Sequence, residues 1–166
     1  CASSDVCDYL EMDYGNHAFS MVIMLPKDGK TTQDVIATMD GKKWADAMQS
    51  LTLKEIHVLL PRFKAECEYP MHKYILPDMG MKIPFNPMLA DLSGIADVTG
   101  LYISKVIHKT FVQVDEEGTE AAGITLVGIE KSGKSSFFMV DRPFLFAIRE
   151  KSTGVILFIG EIGEIQ

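Results

Sequence analysis

The hydrophobic positions near the start of the chain predict one buried strand followed by two short helices. Residues 20–25 form a continuous apolar run that ends at a proline, which is typical of a buried strand leading into a turn. Apolar residues then recur at helical spacing behind Thr31 or Thr32, either of which can cap a first helix, and again after Asp40. Trp44 belongs to the second set, so we interpret it as a core residue rather than a stacking residue for a ligand.

The middle of the chain alternates between strand character and irregular sequence. Residues 56–63 have strand character, and a proline near their end indicates an edge or a bend. Residues 71–79 can hold a short helix that ends at Gly80, and residues 81–100 are irregular. The longest extended segment is 101–115, whose two faces separate with a period of two.

Two further strands are predicted near the end of the chain, at residues 144–149 and 155–159. Residues 150–154, Glu-Lys-Ser-Thr-Gly, join them as a hairpin-like turn. The whole pattern therefore predicts an α+β fold that is dominated by strands.

Composition excludes several classes of function. The 166 residues are 47% hydrophobic and 23% charged, as expected for one globular domain. A net charge of −7 argues against binding to a nucleic acid, whose phosphates require a basic surface. No apolar stretch approaches the roughly 20 residues that span a bilayer, and the basic residues form no long run that would suit a membrane surface.

The cysteines and histidines form no recognisable site. Cys1, Cys7 and Cys67 are an odd number without C-x-x-C spacing; they allow one disulfide and a spare thiol and do not fix the redox compartment. The four histidines are scattered and no H-E-x-x-H motif occurs. We therefore expect neither a metal site nor a cofactor.

Residues 128–135 match the nucleotide-binding motif G-x-x-x-x-G-K-[ST] in full. In that motif, backbone amides surround the phosphates, and the chemistry requires a strand before the loop and a helix after it. Residues 136–143 are instead rich in β-forming residues and end at a proline. We expect the match to be accidental and predict no nucleotide binding.

The segment before this motif suits two environments. Residues 116–123 carry few large side chains, so we expect them to be exposed and mobile. From Thr119 to Ile129, however, every second residue is small or apolar, while Glu120 and Glu130 lie on the opposite parity. This alternation is typical of a strand with one buried side and indicates a segment with two states. The alternative, which composition alone favours, is an exposed hairpin edge.

Several motifs resemble the serpin family of protease inhibitors. Residues 116–122 are similar to the hinge of the serpin reactive-centre loop. They follow, after four intervening residues, residues 101–111, which are similar to the fifth strand of the family's sheet A. Other matches, in the family's order, are residues 20–26, 60–63, 90–94, 142–146 and 156–160. A serpin domain is much longer than this chain. We therefore expect residues 1–166 to be the C-terminal part of a single serpin domain, with its reactive-centre loop at about 116–136 and its N-terminal part absent.

The resemblance implies a suicide mechanism of protease inhibition. A serine or cysteine protease cleaves the loop and forms an acyl-enzyme; the cut loop then inserts as a strand and distorts the enzyme, driven by energy stored in a metastable fold. The chain would supply no catalytic residue. The implied partner is the target protease, and the intact inhibitor would be a monomer that binds neither nucleic acid nor membrane. We expect secretion to the outside of the cell or to the cell envelope, with an intracellular location as the alternative.

The resemblance also implies the reactive bond. Family spacing, counted from both ends of the loop, puts the bond between Ser132 and Gly133. Lys131 is the runner-up recognition residue, because trypsin-like enzymes require a basic side chain, and Lys134 is third. A serine at this position favours an elastase-like or subtilisin-like target. The implied hinge residues are Glu116, Glu117, Gly118, Thr119, Glu120, Ala121, Ala122 and Gly123.

Two supporting sites follow from the same resemblance. His108 aligns with the family's shutter histidine, which lies beneath the strands that part during insertion; the alternative for a single histidine on a strand is a core residue with satisfied hydrogen bonds. Glu116 aligns with a carboxylate that pairs with a cation at the position of Arg62; this pair lies in the region that the family calls the breach.

Ile124 departs from the small residue usual in inhibitory hinges. A non-inhibitory serpin with a carrier, chaperone or storage role is the alternative function. A bulky, charged or proline residue on the inward parity between Thr119 and Gly123 would favour it, and none occurs there.

Overall fold

The computed structural model describes residues 1–96, 98–115 and 136–164, which form nine strands, three α-helices and one 3-10 helix. In chain order these elements are β1 (Ala2–Ser3), β2 (Cys7–Tyr14), β3 (Phe19–Pro26), α1 (Thr32–Thr38), α2 (Gly41–Gln49), β4 (His57–Leu59), β5 (Phe63–Pro70), α3 (Ile75–Asp78), the 3-10 helix Ile83–Phe85, β6 (Ile107–Val114), β7 (Phe137–Met139), β8 (Phe144–Glu150) and β9 (Ile156–Ile162). The predicted α+β class is confirmed.

The most apolar segment of the chain lies at the centre of the largest sheet. β3 is buried at every position after Phe19, as the predicted strand at 20–25 requires. Its sheet has the order β1-β2-β3-β8-β9, and all of its pairings are antiparallel. Because β3 has a covered surface on both faces, its side chains are apolar without alternation.

Helices α1 and α2 cover one face of this sheet. Thr31 caps α1 through a capping box with Asp34, and the Asp40 side chain accepts a hydrogen bond from the Lys43 amide at the start of α2. Both helices were predicted at these places. Trp44 packs, half-buried, against the apolar cluster under the helices, so its interpretation as a core residue is confirmed. The buried members of that cluster are Cys7, Tyr9, Val22, Met24, Val35, Ala47, Leu145 and Ala147.

A second set of buried aromatic residues includes Phe63, Phe144 and Phe146. The ring of Phe63 lies 5.5 Å from that of Phe144 and 5.3 Å from that of Phe146. Opposite Phe146 in the β8–β9 pairing is Gly160, where a Cβ atom would lie 2.7 Å from the Phe146 ring. The glycine therefore leaves the space that the aromatic ring fills.

The chain divides into two compact units, Cys1–Phe63 with Gln113–Gln166, and Lys64–Val112. The second unit contains most of β5 and β6, which form a two-stranded sheet, together with α3 and the 3-10 helix. Its polar contacts include an exposed ion pair of 2.8 Å between Lys109 and Glu68.

Two predicted strands have different limits in the structure. The strand predicted at 56–63 is two strands, because β4 ends at Leu59 and β5 begins at Phe63, with Pro61 in the gap. The strand predicted at 101–115 begins only at Ile107, because backbone groups before it bond elsewhere. The Ile103 amide donates to the Pro84 carbonyl at 2.8 Å.

The short helix predicted within 71–79 is present as α3, and the C-terminal hairpin is present as β8 and β9, joined by the turn that ends at Gly154. β7 is a strand, so the expectation that no helix follows the nucleotide-type motif at 128–135 is confirmed. The motif itself lies outside the described residues.

Candidate functional site

A parallel pair of strands holds the chain where it leaves the predicted reactive-centre loop. β7 pairs with β4 so that Phe137 lies opposite His57. Backbone hydrogen bonds continue the pairing at both ends: the His57 amide donates to the Ser136 carbonyl at 2.9 Å, and the Val140 amide donates to the Leu59 carbonyl at 2.8 Å. The C-terminal end of the loop is therefore attached to the fold from Ser136 onward.

The two faces of this β4–β7 ribbon differ in exposure. Phe138 is 9% exposed and Val58 is half-buried, so their side of the ribbon packs inward. Successive side chains of a strand point to opposite faces, so the neighbours of these residues point outward. We call this second side the outer face; it consists of His57, Leu59, Phe137 and Met139. The His57 and Phe137 rings stack with their centroids 5.1 Å apart.

Arg142 connects the end of β7 to the end of β3. Its Nε donates to the carbonyl of Pro26 at 2.9 Å, and its Nη1 lies 2.9 Å from the carboxylate of Asp28. Asp28 is almost fully exposed, so water screens the ion pair and the bond to the backbone contributes more. Val140 and Phe144 on either side are buried. Side chains on both flanks and a central arginine therefore hold this segment in place.

The N-terminal end of the loop follows β6. Val114 is buried, and the side-chain Nε2 of Gln113 donates to the Asp115 carboxylate at 2.8 Å. The hinge at 116–123, the bond between Ser132 and Gly133, and the runner-up lysines 131 and 134 lie outside the described residues. Their roles stay predictions.

The predicted shutter and breach residues fall in different units. His108 lies on β6 in the second unit and is exposed among the described residues; its shutter role stays a prediction. Arg62 lies between β4 and β5 in the first unit and is also exposed. Its predicted partner Glu116 lies outside the described residues, so the pair stays a prediction.

Sequence reasoning missed an ion cluster within the large sheet. The Nε and Nη2 atoms of Arg149 donate to one oxygen of Glu11 at 3.0 and 2.7 Å, and the Ser20 hydroxyl donates to the same oxygen at 2.7 Å. The two charged side chains are only 13% and 14% exposed. The cluster ties β2, β3 and β8 together but contains no nucleophile or metal ligand set. We therefore assign the cluster a structural role, which is to stabilise the large sheet.

The described residues offer little for other chemistry. All three cysteines are free, and burial raises the pKa of Cys7 above its ordinary value, which makes its thiol less reactive. No group of three metal-binding side chains is found in the part of the chain that the structure describes. None of the helices there has the length and hydropathy needed to cross a membrane.

Comparison with known sequences identifies one family. The family model described as "Serpin (serine protease inhibitor)" matches residues 2–165. The chain is 37% identical over 163 residues to intracellular coagulation inhibitor 1 of Tachypleus tridentatus, with 94% of this chain and 38% of the relative covered. It is 38% identical over 169 residues to human leukocyte elastase inhibitor, with 93% and 42% covered. The chain therefore spans about two fifths of the length of these relatives.

Solved structures agree on the fold. The native state of tengpin, a thermophilic serpin, superposes with a TM-score of 0.80 at 32% identity, covering 99% of this chain and 43% of the other. Thyroxine-binding globulin in complex with thyroxine gives a TM-score of 0.79 at 29% identity, covering 96% and 41%.

Proposed function

The chain belongs to the serpin family, and from this premise we propose that the protein inhibits a serine or cysteine protease by loop cleavage and strand insertion. The observation that carries the proposal is the family match over residues 2–165, because it extends across both ends of the predicted loop. Two relatives named as inhibitors support the same function. The protein then supplies a substrate loop rather than a catalytic group.

The geometry at the loop ends suits this mechanism. The C-terminal end is hydrogen-bonded to β4 and joined to β3 through Arg142, so cleavage before Ser136 leaves that end attached. The N-terminal end continues directly from β6. Small residues at alternate positions from Thr119 let the cut N-terminal segment enter a sheet without burying a charge.

The decisive experiment incubates the full-length protein with a panel of serine and cysteine proteases. We expect a complex stable in SDS with at least one enzyme, and a C-terminal peptide whose mass begins at Gly133. A peptide that begins after Lys131 or Lys134 would instead assign the reactive bond to that lysine and would indicate a trypsin-like target. Absence of any stable complex across the panel, with the loop cleaved, would overturn inhibition.

A substitution in the hinge tests insertion itself. Thr119→Arg should convert the inhibitor into a substrate, because a charge would have to enter the protein interior. Glu120→Arg is the matched control, since its parity faces outward in the inserted strand. An unchanged yield of stable complex with Thr119→Arg would contradict the mechanism.

A carrier role is the second candidate. An apolar groove of about 540 Å³ lies between the helices and strands β8 and β9, and Trp44 forms part of its wall. The similar fold of thyroxine-binding globulin favours this candidate. If it is correct, the full-length protein should bind an apolar fluorescent probe saturably, Trp44→Ala should weaken that binding, and no protease should be trapped.

The compartment stays a proposal. The name of the Tachypleus relative includes the word intracellular, which favours the alternative over the predicted secretion. Fractionation of the source cells with an antibody against this chain distinguishes the two.

A further inference from the structure

We propose that the outer face of the β4–β7 ribbon is a docking surface for the body of the target protease, separate from the loop that occupies its active site. The surface consists of His57, Leu59, Phe137 and Met139. This inference rests on the proposed function, because it requires a protease to engage the loop.

The exposure of these side chains is the first observation. Phe137 is 59% exposed, Met139 is 50% exposed and Leu59 is 47% exposed. They are neighbours on two paired strands, so they form a continuous apolar surface rather than scattered positions. Contiguous exposed apolar surface of this kind marks sites of interaction, whereas single exposed apolar residues need no explanation.

The position of the surface points to the protease as its partner. Phe137 follows Gly133 by four residues, and an extended chain spans at most about 14 Å over that length. A standard protein interface covers about 800 Å² per partner, which corresponds to a radius of roughly 16 Å. An enzyme whose active site holds the bond at 132–133 therefore has a footprint that reaches the outer face.

The surface is also held rigid before binding. Backbone hydrogen bonds fix β7 to β4, the rings of Phe137 and His57 stack, and Arg142 holds the end of β7 against β3. Binding to such a surface orders few side chains, so little of the favourable contact energy is lost to entropy.

The chemistry of the surface defines the complementary partner. Three of the four side chains are apolar and two are aromatic rings, which suits an apolar or aromatic loop beside the part of the enzyme's cleft that receives residues after the scissile bond. Since the contact is mainly apolar, its contribution should change little with salt concentration.

The test measures the second-order rate constant with which the full-length inhibitor forms the stable complex with its target protease; this constant depends on how fast the initial complex dissociates. Phe137→Thr combined with Met139→Thr keeps β-forming residues while removing the apolar surface. We expect this rate constant to fall about tenfold, because the loss of two apolar contacts weakens the initial, reversible complex by about that factor. The stoichiometry of inhibition and the cleaved bond should not change, because insertion does not use this face.

Two further variants make the result specific. Leu59→Thr lies on β4, far from the loop in sequence, so a lower rate constant with this variant identifies a surface rather than a subsite along the substrate chain. Phe19→Thr is the control, because Phe19 is a 42% exposed phenylalanine and is the first residue of β3, whose last residue, Pro26, is the one that Arg142 contacts. We expect it to leave the rate constant within twofold of the parent.

Each outcome decides the proposal. Rate constants within twofold of the parent for all outer-face variants overturn it while leaving inhibition intact, whereas a parent that traps no protease overturns the proposed function instead. A loss of thermal stability without a change in rate means that another part of the full-length chain covers the face. Loss of a dimer in sedimentation means that a second copy covers it. Both results also overturn the proposal.

Discussion

Replacing Glu11 with leucine should strongly destabilise the large sheet, because it leaves the Arg149 guanidinium nearly buried and without its carboxylate. Arg149 is 13% exposed, and two of its nitrogens and the Ser20 hydroxyl all donate to one oxygen of Glu11. Removing one partner of a buried ion pair costs about 3–5 kcal/mol. Since some water still reaches this pair, we expect a loss of about 3 kcal/mol in the free energy of unfolding.

The measurement is urea unfolding of the full-length protein at pH 7, followed by tryptophan fluorescence. Adding Arg149→Met to Glu11→Leu should recover most of the loss, because no charge then remains unpaired and apolar side chains replace the pair. The reasoning is refuted if Glu11→Leu alone costs less than about 1 kcal/mol, or if the two substitutions simply add. Ser20→Ala removes one hydrogen bond to the charged Glu11 and should cost about 1.5 kcal/mol, less than Glu11→Leu, because Arg149 still pairs with the carboxylate.

Three other predictions concern positions that the sheet and its turns depend on. Gly160→Ala should destabilise the protein by about 1–3 kcal/mol in urea unfolding, because its Cβ would meet the buried ring of Phe146; Gly163→Ala, with nothing within 4 Å, should have little effect. Thr31→Ala should cost about 1 kcal/mol through loss of the α1 cap, while an unchanged urea midpoint would show that the cap is dispensable. Hydrogen bonds from the side chains and amides of the turn after Glu150 lower its pKa to about 2, so its contribution to stability is present above pH 4.5 and lost as the pH falls towards 2. Glu150→Gln should therefore lower the urea midpoint at pH 7 and match the parent near pH 2; an equal difference at both pH values would contradict this.

The parts of the fold that could be predicted from the sequence are those with a local cause. The strand at 20–25 and the helices after Thr31 and Asp40 were predicted because apolar runs and capping side chains act within a few residues. β2 was missed, because Glu11 interrupts its apolar pattern. The charge is tolerated only because Arg149, 138 residues away, pairs with it, and no local pattern contains that information.

The same distinction between local and distant causes applies to the candidate site. The motifs around the loop were sufficient to predict the family, which the match over residues 2–165 confirms. The attachment of the loop's C-terminal end was not predicted, because β4 and β7 are distant in sequence and their pairing is parallel. The hinge and the reactive bond lie outside the described residues and stay predictions.

A cut in the reactive-centre loop leaves two fragments. Whether they separate depends on the strand pairings that join them, which are those of β7 with β4 and of β8 with β3. The fragment after the cut carries β7, β8 and β9. Backbone hydrogen bonds from β8 to β3 and from β7 to β4 keep the fragment in the fold, while β9 pairs with β8 inside the fragment. A nicked molecule should therefore elute from a sizing column as one intact particle and divide into two only after boiling in detergent. Proteolysis would then be invisible to any native assay of size.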